Sequence, residues 1–412
     1  MEQTTKQNGW KTLLSKDFIL VLVISCFNQF ATMATKTPIN QFGTELGIAA
    51  TLLGLIATIQ GVWKMICRPI WGPINDSMNK KVAMTIALVI QLATYVIYAF
   101  TDSLAVFVIG RFVEGVSFAI VGTSVYAALG FVVDRRALGT AMGFYATFPK
   151  LVQAFAPAIS MSLYTNHGAR YAFLVSAGCI MASILLTQFL TFKNANEGPK
   201  KGQPKAPESK GRKKLGDIIS IKGLLFFPMI LGDGFQNGVL DLTVIVYATS
   251  LGIPEAGALF FSVQQFVTIF LAVPFGFIQD KLGGKVSVIF SYLCRAAGCF
   301  LIAMNPTHGF FVLAGVLCGT AKPGNNVLQT EAMKLQPKHR FGIAASTHLL
   351  LVDLGVMIGS GIGGLLVDNA GFNVCFGVSG AILVAGAVLY LVMQPIIQKA
   401  INEAAVTDTD NG

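Results

Sequence analysis

Twelve apolar runs, each close to the ~20 residues that cross a bilayer core, take up most of this chain and constrain its fold more than any other feature. They cover residues 18–40, 47–73, 82–100, 104–129, 138–163, 168–192, 221–249, 254–279, 286–304, 308–331, 342–367 and 372–394. Composition agrees. Charged residues make up 12% of the 412 positions, against about 25% in soluble domains, and 43 glycines suit helices that pack closely in lipid. The first run is too long for a signal-peptide core and no small-residue cleavage site follows it, so it is read as a helix. The expected fold is an all-α integral membrane protein with twelve transmembrane helices. Cys26, Cys67, Cys179, Cys294, Cys299, Cys318 and Cys375 all lie in apolar runs without a Cys-x-x-Cys spacing. They read as packing residues, not as metal ligands or a disulfide framework.

A net charge of +10 would suggest nucleic acid in a soluble protein, but here its distribution points to a membrane. With a cytoplasmic N-terminus, 21 of the 30 basic residues fall in cytoplasmic segments and one, Arg170, falls in an external loop. The inverse topology would reverse that bias, so both termini are expected in the cytoplasm. The expected setting is a multi-pass cell (plasma) membrane protein and monomer, with the lipid bilayer as partner and no nucleic acid.

The chain also repeats itself. WGPINDSMNKKV at 71–82 returns as FGFIQDKLGGKV at 275–286, an offset of 204, and LGI at 46–48 returns at 251–253, an offset of 205. Both hinge copies read Gly-x-x-x-Asp followed by Lys-Val, through Gly72, Asp76, Lys81 and Val82, then Gly276, Asp280, Lys285 and Val286. Between the sixth and seventh runs lies a Lys-, Pro- and Gly-rich segment with the character of a solvated linker. The reading is therefore an N-terminal six-helix bundle (1–192), a basic cytoplasmic linker (193–220), a C-terminal six-helix bundle (221–398) and a cytoplasmic tail (399–412). At each hinge a glycine lets helices approach, and the Asp can accept bonds from exposed N–H groups at a neighbouring helix end.

Two six-helix halves, a basic central loop and these hinges resemble the major facilitator superfamily of secondary transporters. The C-terminal hinge matches that family's cytoplasmic signature through Gly276, Asp280, Lys281, Gly283 and Lys285. The N-terminal copy departs from it, with Ser77 and Asn79 in place of the usual base and Gly. Asn tolerates the left-handed conformation, so the turn is expected to survive. GRFVEG at 110–115 is similar to the family's fourth-helix pattern, except that Glu114 stands where Gln is common. Arg111 and Glu114, three apart, share a helical face and can neutralise each other. The resemblance implies rocking alternating access, with the hinges as conformational locks.

Charge at the bilayer centre costs about 2.5–3.5 kcal/mol or more, yet Lys150, Asp233, Lys322 and Asp353 each lie deep in a run, roughly 15–20 Å from the nearest helix start. These four must face a polar cavity or one another. Lys150 plus 204 is 354, so Lys150 and Asp353 occupy nearly equivalent positions. A solute anion competing for Lys150, with Asp353 taking a proton, is one physical route to coupling. KPGNN at 322–326 predicts a broken helix, where Pro323 removes an N–H and Gly324 loosens the turn beside Lys322, Asn325 and Asn326. Asn28, Gln29, Asp233, Gln236 and Asn237 lie at similar depth, and Tyr145, Phe148 and Lys150 form an aromatic and cationic stripe. Lys36 and Asp241 lie near outer ends. Lys64, Arg68 and Arg295 are read as snorkelling toward the cytoplasm, and His348 as a packing residue.

These readings favour a secondary transporter over a membrane enzyme or a scaffold. The sequence has no His-Glu-x-x-His, no metal cluster, no nucleophile with its base and no ATP-binding Gly-x-x-x-x-Gly-Lys-Ser/Thr loop. No catalytic residue, metal or cofactor is expected. Substrate contacts are assigned to Lys150, Lys322, Asn325, Asn326, Arg111, Tyr145, Gln29 and Gln236, and proton coupling to Asp353, Asp233 and Glu114. Two midplane lysines and Arg111 favour a small carboxylate coupled to protons or exchanged. Proton-antiport efflux of drugs or metabolites is the alternative.

Overall fold

The computed structural model describes residues 11–36, 38–48, 50–192, 215–304 and 307–410. Lys6 and most of the predicted linker, 193–214, lie outside the described residues. So do the last two residues of the predicted tail.

Between the longer helices lie a short one, Ile39–Glu45, and several single turns, and the longer helices follow the apolar runs. They are α1 (Lys16–Lys36), α2 (Ala50–Ser77), α3 (Lys80–Phe100), α4 (Leu104–Val132), α5 (Leu138–His167), α6 (Ala169–Gln188), α7 (Phe227–Ser250), α8 (Pro254–Leu282), α9 (Gly284–Met304), α10 (His308–Ala321), α11 (Gly324–Lys334) and α12 (Phe341–Asp410). The tenth run is thus split into α10 and α11 around Lys322 and Pro323, where the sequence places its helix breaker. The eleventh and twelfth runs share α12, which bends at Gly371 (φ 84°). Its helix continues through Asp410, into the segment read as a tail.

Among the described residues, eight helical stretches are long and apolar enough to cross a membrane, and one of them, Lys338–Glu403, contains two of the predicted runs. α2, α5 and the broken α10–α11 are not among these stretches. In these helices Lys64, Arg68, Asp76 and Lys150 or the break itself interrupt the apolar run.

The repeat seen in the sequence is a repeat of backbone geometry. Gly47 (φ 81°) and Gly252 (φ 76°) both take the left-handed conformation. Gly47 N donates to Thr44 O and Ile48 N to Gly43 O, and Gly252 N to Thr249 O and Ile253 N to Ala248 O. This is a glycine-terminated helix end built twice. The third hinge position differs. Asn79 is extended (φ −60°, ψ 128°), and its side chain accepts from Lys81 N at 2.9 Å. The expected left-handed turn is therefore replaced by an N-cap on α3, with the amide oxygen satisfying an N–H that the first turn leaves open. Asn79→Ala is expected to cost about 1 kcal/mol, measured by thermal unfolding in detergent, with Asn79→Asp retaining most of the stability.

Contacts divide the chain into two compact units. The first comprises 1–134, 148–219 and 339–346, and the second 135–147, 220–338 and 347–412. Each takes the opening turns of one long helix from the other half of the sequence: residues 339–346 in the first, 135–147 in the second. In the first unit α1 packs on α6, α3 on α4 and α6, and α2 on α4. In the second, α8 packs on α10, α9 on α10 and α7 on α8.

Both units repeat their packing details at the sequence offset. A Cβ on Gly115 would lie 2.8 Å from Gln60 O, and one on Gly319 would lie 2.6 Å from Gln264 O. Only glycine allows the backbones this close. Phe42 meets Phe107 and Phe173 at centroid distances of 5.9 and 5.3 Å, while Tyr247 meets Phe311 and Phe376 at 6.1 and 5.8 Å. These aromatic trios lie 203–205 positions apart, so the duplication kept a core cluster as well as a loop.

Candidate latch and substrate sites

The hinge aspartates are helix-end acceptors in both units. In the first, Asp76 Oδ1 and Oδ2 accept from Gly342 N and Ile343 N, each at 2.7 Å, at the start of α12. In the second, Asp280 Oδ1 accepts from Gly139 N at 2.9 Å and Oδ2 from Thr140 N at 2.7 Å, at the start of α5. A carboxylate with both oxygens on open N–H groups of a first helical turn also meets the positive end of that helix. The approach requires glycine: a Cβ on Gly342 would lie 2.6 Å from Asp76 Oδ1, and one on Gly139 2.7 Å from Asp280 Oδ1.

The lysines behave differently from the sequence pattern. Lys80 pairs with Asp76 at 3.1 Å and donates to Asn75 O at 2.7 Å, whereas the repeated Lys81 donates to Gln188 O at 2.5 Å. An i,i+4 spacing across the helix end reaches the carboxylate, and the fifth residue turns away from it. Lys281 lies over the Phe277 ring at 4.3 Å, and Lys285 is exposed beside Gly283. Asp280 instead has Lys334 at 3.9 Å, which also lies 3.7 Å from Glu331. Gln279 Nε2 donates to Glu331 at 3.1 Å, and Arg135 Nη1 to Lys334 O at 2.8 Å.

Inside the first unit, Arg111 and Glu114 form the pair expected from their spacing. Arg111 Nη1 lies 2.5 Å from Glu114 Oε2, which also accepts from Tyr98 OH at 2.9 Å. Glu114 is 1% exposed, so this charge is neutralised where water cannot reach it. Beside it runs a neutral network in which Asn28 Nδ2 donates to Gln91 Oε1 at 2.6 Å, and Gln91 Nε2 to Tyr95 OH at 2.9 Å and Thr32 Oγ1 at 3.2 Å.

Inside the second unit, the structure collects Asp233, Gln236, Lys322 and Asn325 from the predicted set and adds residues the sequence reading placed elsewhere. Asp233, 0% exposed, forms an ion pair with Arg295, 2% exposed. Arg295 Nε donates to Gln236 Oε1 at 2.6 Å, and Nη2 also reaches that oxygen. Asn237 Nδ2 donates to Asp233 Oδ2 at 3.2 Å, and Gln236 Nε2 contacts Cys299 Sγ at 3.4 Å and Cys318 Sγ at 3.8 Å. Arg295 therefore does not snorkel, and buried Arg68 does not either. Arg295 is the twelfth of 21 residues in α9, too deep for its stem to reach water.

At the helix break, Lys322 Nζ donates to Gln264 Oε1 at 3.2 Å, and Asn325 Oδ1 lies 3.0 Å from His348 Nε2. Ser291 Oγ captures the carbonyl of Ala321 freed by the break. Gln29, Tyr145, Lys150, Asn326 and Asp353 are half-buried. Lys150 belongs to the first unit and Asp353 to the second.

A duplicated set of membrane-length helices with paired charges at depth defines a multi-pass membrane protein of transporter build. The sequence profile of the Major Facilitator Superfamily matches residues 18–263 and 223–406, and the chain belongs to that family. Among curated relatives, the staphylopine export protein of Staphylococcus aureus (strain Mu50 / ATCC 700699) is 20% identical over 405 residues, 93% of this chain and 96% of that one. The vesicular acetylcholine transporter of Homo sapiens is 29% identical over 142 residues, 32% of this chain. The chain spans only 25% of that relative's length. Of solved structures, the human organic anion transporter MFSD10 (TETRAN) superposes with a TM-score of 0.67 at 15% identity, covering 91% of this chain and 99% of that one. At that identity the likeness concerns the fold.

Proposed function

We propose that this protein is a secondary active transporter that moves small organic anions, carboxylates foremost, by alternating access, driven by protons or by exchange. The observation that carries the reading is Lys322. It lies at the break between α10 and α11, and its hydrogen bond goes to the neutral amide of Gln264. The carboxylate in the bonded cluster of the second unit, Asp233, is engaged by Arg295. Asp241 is the acid within Lys322's electrostatic reach, and a solute carboxylate that competes with it for Lys322 lowers the cost of that buried charge. Lys150, Arg111, Asn325, Asn326, Tyr145, Gln29 and Gln236 complete the assigned contacts, and Asp353, Asp233 and Glu114 the proton-carrying groups.

The Asp76 and Asp280 latches are assigned to conformational control. The protein is taken to sit in the plasma membrane as a monomer, with both termini cytoplasmic and no enzymatic chemistry. Efflux of drugs or metabolites is the second reading, favoured by the full-length similarity to an export protein.

The test is flux in proteoliposomes under an imposed pH gradient, with a panel of carboxylates beside a panel of lipophilic cations. Carboxylate flux is expected to fall with Lys150→Ala and to lose its pH dependence with Asp353→Asn. Cation flux indifferent to Lys150 would replace this reading with the efflux one.

A further inference from the structure

The buried pair Asp233–Arg295 has a neutral twin. At an offset of 205 Asn28 corresponds to Asp233, and at 204 Gln91 corresponds to Arg295 and Tyr95 to Cys299; Thr32 falls opposite Asn237, with Gln236 one residue away. The main bond repeats with the positions, and the neighbouring ones repeat within a residue. Asn28 bonds Gln91, and Gln91 bonds Thr32. Asp233 pairs with Arg295, and Arg295 bonds Gln236. The fourth position closes each network, through Gln91 to Tyr95 in one unit and Gln236 to Cys299 in the other.

The first unit therefore states what the architecture requires where the first and third helices of a half meet, namely a hydrogen-bonded polar bridge. Two amides supply it, with Gln91 0% and Asn28 8% exposed. An ion pair in the same place brings no assured gain in stability, because desolvating both charges offsets their attraction. The charges at positions 233 and 295 exceed what the fold demands. Their setting points to a use. Cys318 lies next to Gln236, which holds Arg295, and Lys322 follows Cys318 by one helical turn, within electrostatic reach of Arg295. Two cations thus border one short segment of helix.

We propose that Arg295 is an anion-binding residue of the second unit, and that Asp233 is the internal carboxylate holding its place until a substrate carboxylate takes it. A guanidinium fork fits a carboxylate through two parallel N–H bonds, and Lys322 supplies a second cation. Asp233, once exchanged, keeps only the Asn237 amide as a donor at 3.2 Å, so its release costs free energy that the incoming carboxylate's bonds to Arg295 must offset. This inference rests on the anion-transport reading and adds to it a residue that fixes specificity.

The experiment installs the first unit's own amide pair in the second unit, Asp233→Asn with Arg295→Gln, and measures uptake of labelled mono- and dicarboxylates in proteoliposomes. The double variant is expected to elute as a folded, monodisperse protein, since the fold already accommodates that pair once. Its carboxylate uptake is expected to fall by about tenfold or more. A companion variant, Arg295→Lys, keeps the charge and removes the fork, and is expected to raise KM for carboxylates by about fivefold or more. Uptake within about twofold of the parent in the double variant, or an unchanged KM in Arg295→Lys, would overturn the assignment while leaving anion transport standing. A parent protein that carries cations and no carboxylate would overturn both.

Discussion

Arg111→Met is expected to destabilise the first unit by about 3–5 kcal/mol, read as reversible unfolding in mixed micelles. The cause is the carboxylate left behind. Glu114 is 1% exposed and has two partners, Arg111 at 2.5 Å and Tyr98 OH at 2.9 Å. Without the guanidinium, an ionised group in low dielectric keeps one neutral hydrogen-bond donor and the more distant charge of Lys36. Its options are to take up a proton or to pull water into the helix interface. Both cost free energy.

The double replacement Arg111→Met with Glu114→Gln removes both charges and preserves the Tyr98 bond. It is expected to recover most of the loss, because neutral side chains of similar volume often match a buried pair in stability. The cycle formed by the two single variants and the double one isolates the coupling between the residues. A loss below about 1 kcal/mol in Arg111→Met would mean that the pair is already solvated. The same double variant separates structure from transport. Uptake lost in a protein whose stability has been restored would place the Arg111–Glu114 pair in transport and not only in folding.

The legible parts of this molecule were those where a local rule suffices. A three-residue spacing on one helix placed Arg111 against Glu114. Lys-Pro-Gly placed the break at 322–323. Gly-x-x-x-Asp, repeated at an offset of 204, foretold carboxylates seated on helix ends in both units. The partners of those carboxylates were not legible. Gly342 lies 266 positions from Asp76, and Gly139 lies 141 from Asp280, distances over which no periodicity speaks.

Two errors have specific causes. From sequence Asn79 reads as a residue tolerating a left-handed turn, whereas its side chain caps α3. Arg295 reads from sequence as snorkelling, yet it lies near the middle of α9, as far from water as Lys150 in its run. The offset itself carried the missing signal. Position 295 is the counterpart of Gln91 and position 233 of Asn28, and two polar residues at matched depth in both halves of a membrane protein mark a bond across helices. The exchange of α5 and α12 segments between units was not legible either, since it depends on which long helix each latch captures.

Asp280→Ala should abolish the second unit's latch, with a loss of about 3 kcal/mol or more from two charge-assisted hydrogen bonds. Gly139 N and Thr140 N would lose their acceptors at 2.9 and 2.7 Å, and Lys334 would lose one of the two carboxylates near it. Asp280→Asn is a sharper test than alanine. Asparagine has one oxygen and one NH2 group in place of two oxygens, so it satisfies one amide and turns a donor toward the other. Shape is conserved, charge is lost, and more than half of the stabilisation should go with it. The local measurement is hydrogen exchange in 135–147. Protection at Gly139 and Thr140 is expected to fall by about a hundredfold in the alanine variant, in proportion to the free energy lost, while amides deeper in α5 stay protected. Unchanged exchange at those two amides would show that the start of α5 is held by packing against Gly276 and Ala272, and that the carboxylate only decorates the joint. Slower exchange is excluded by the geometry, since no other side-chain oxygen among the described residues bonds those two N–H groups. The Asp76 latch gives the internal control: Lys80, 6% exposed, pairs with that carboxylate directly, so Asp76→Ala leaves a buried cation with only the Asn75 carbonyl, which Asp280→Ala does not. The stability loss should therefore be larger at Asp76, even though both aspartates hold the same two backbone bonds.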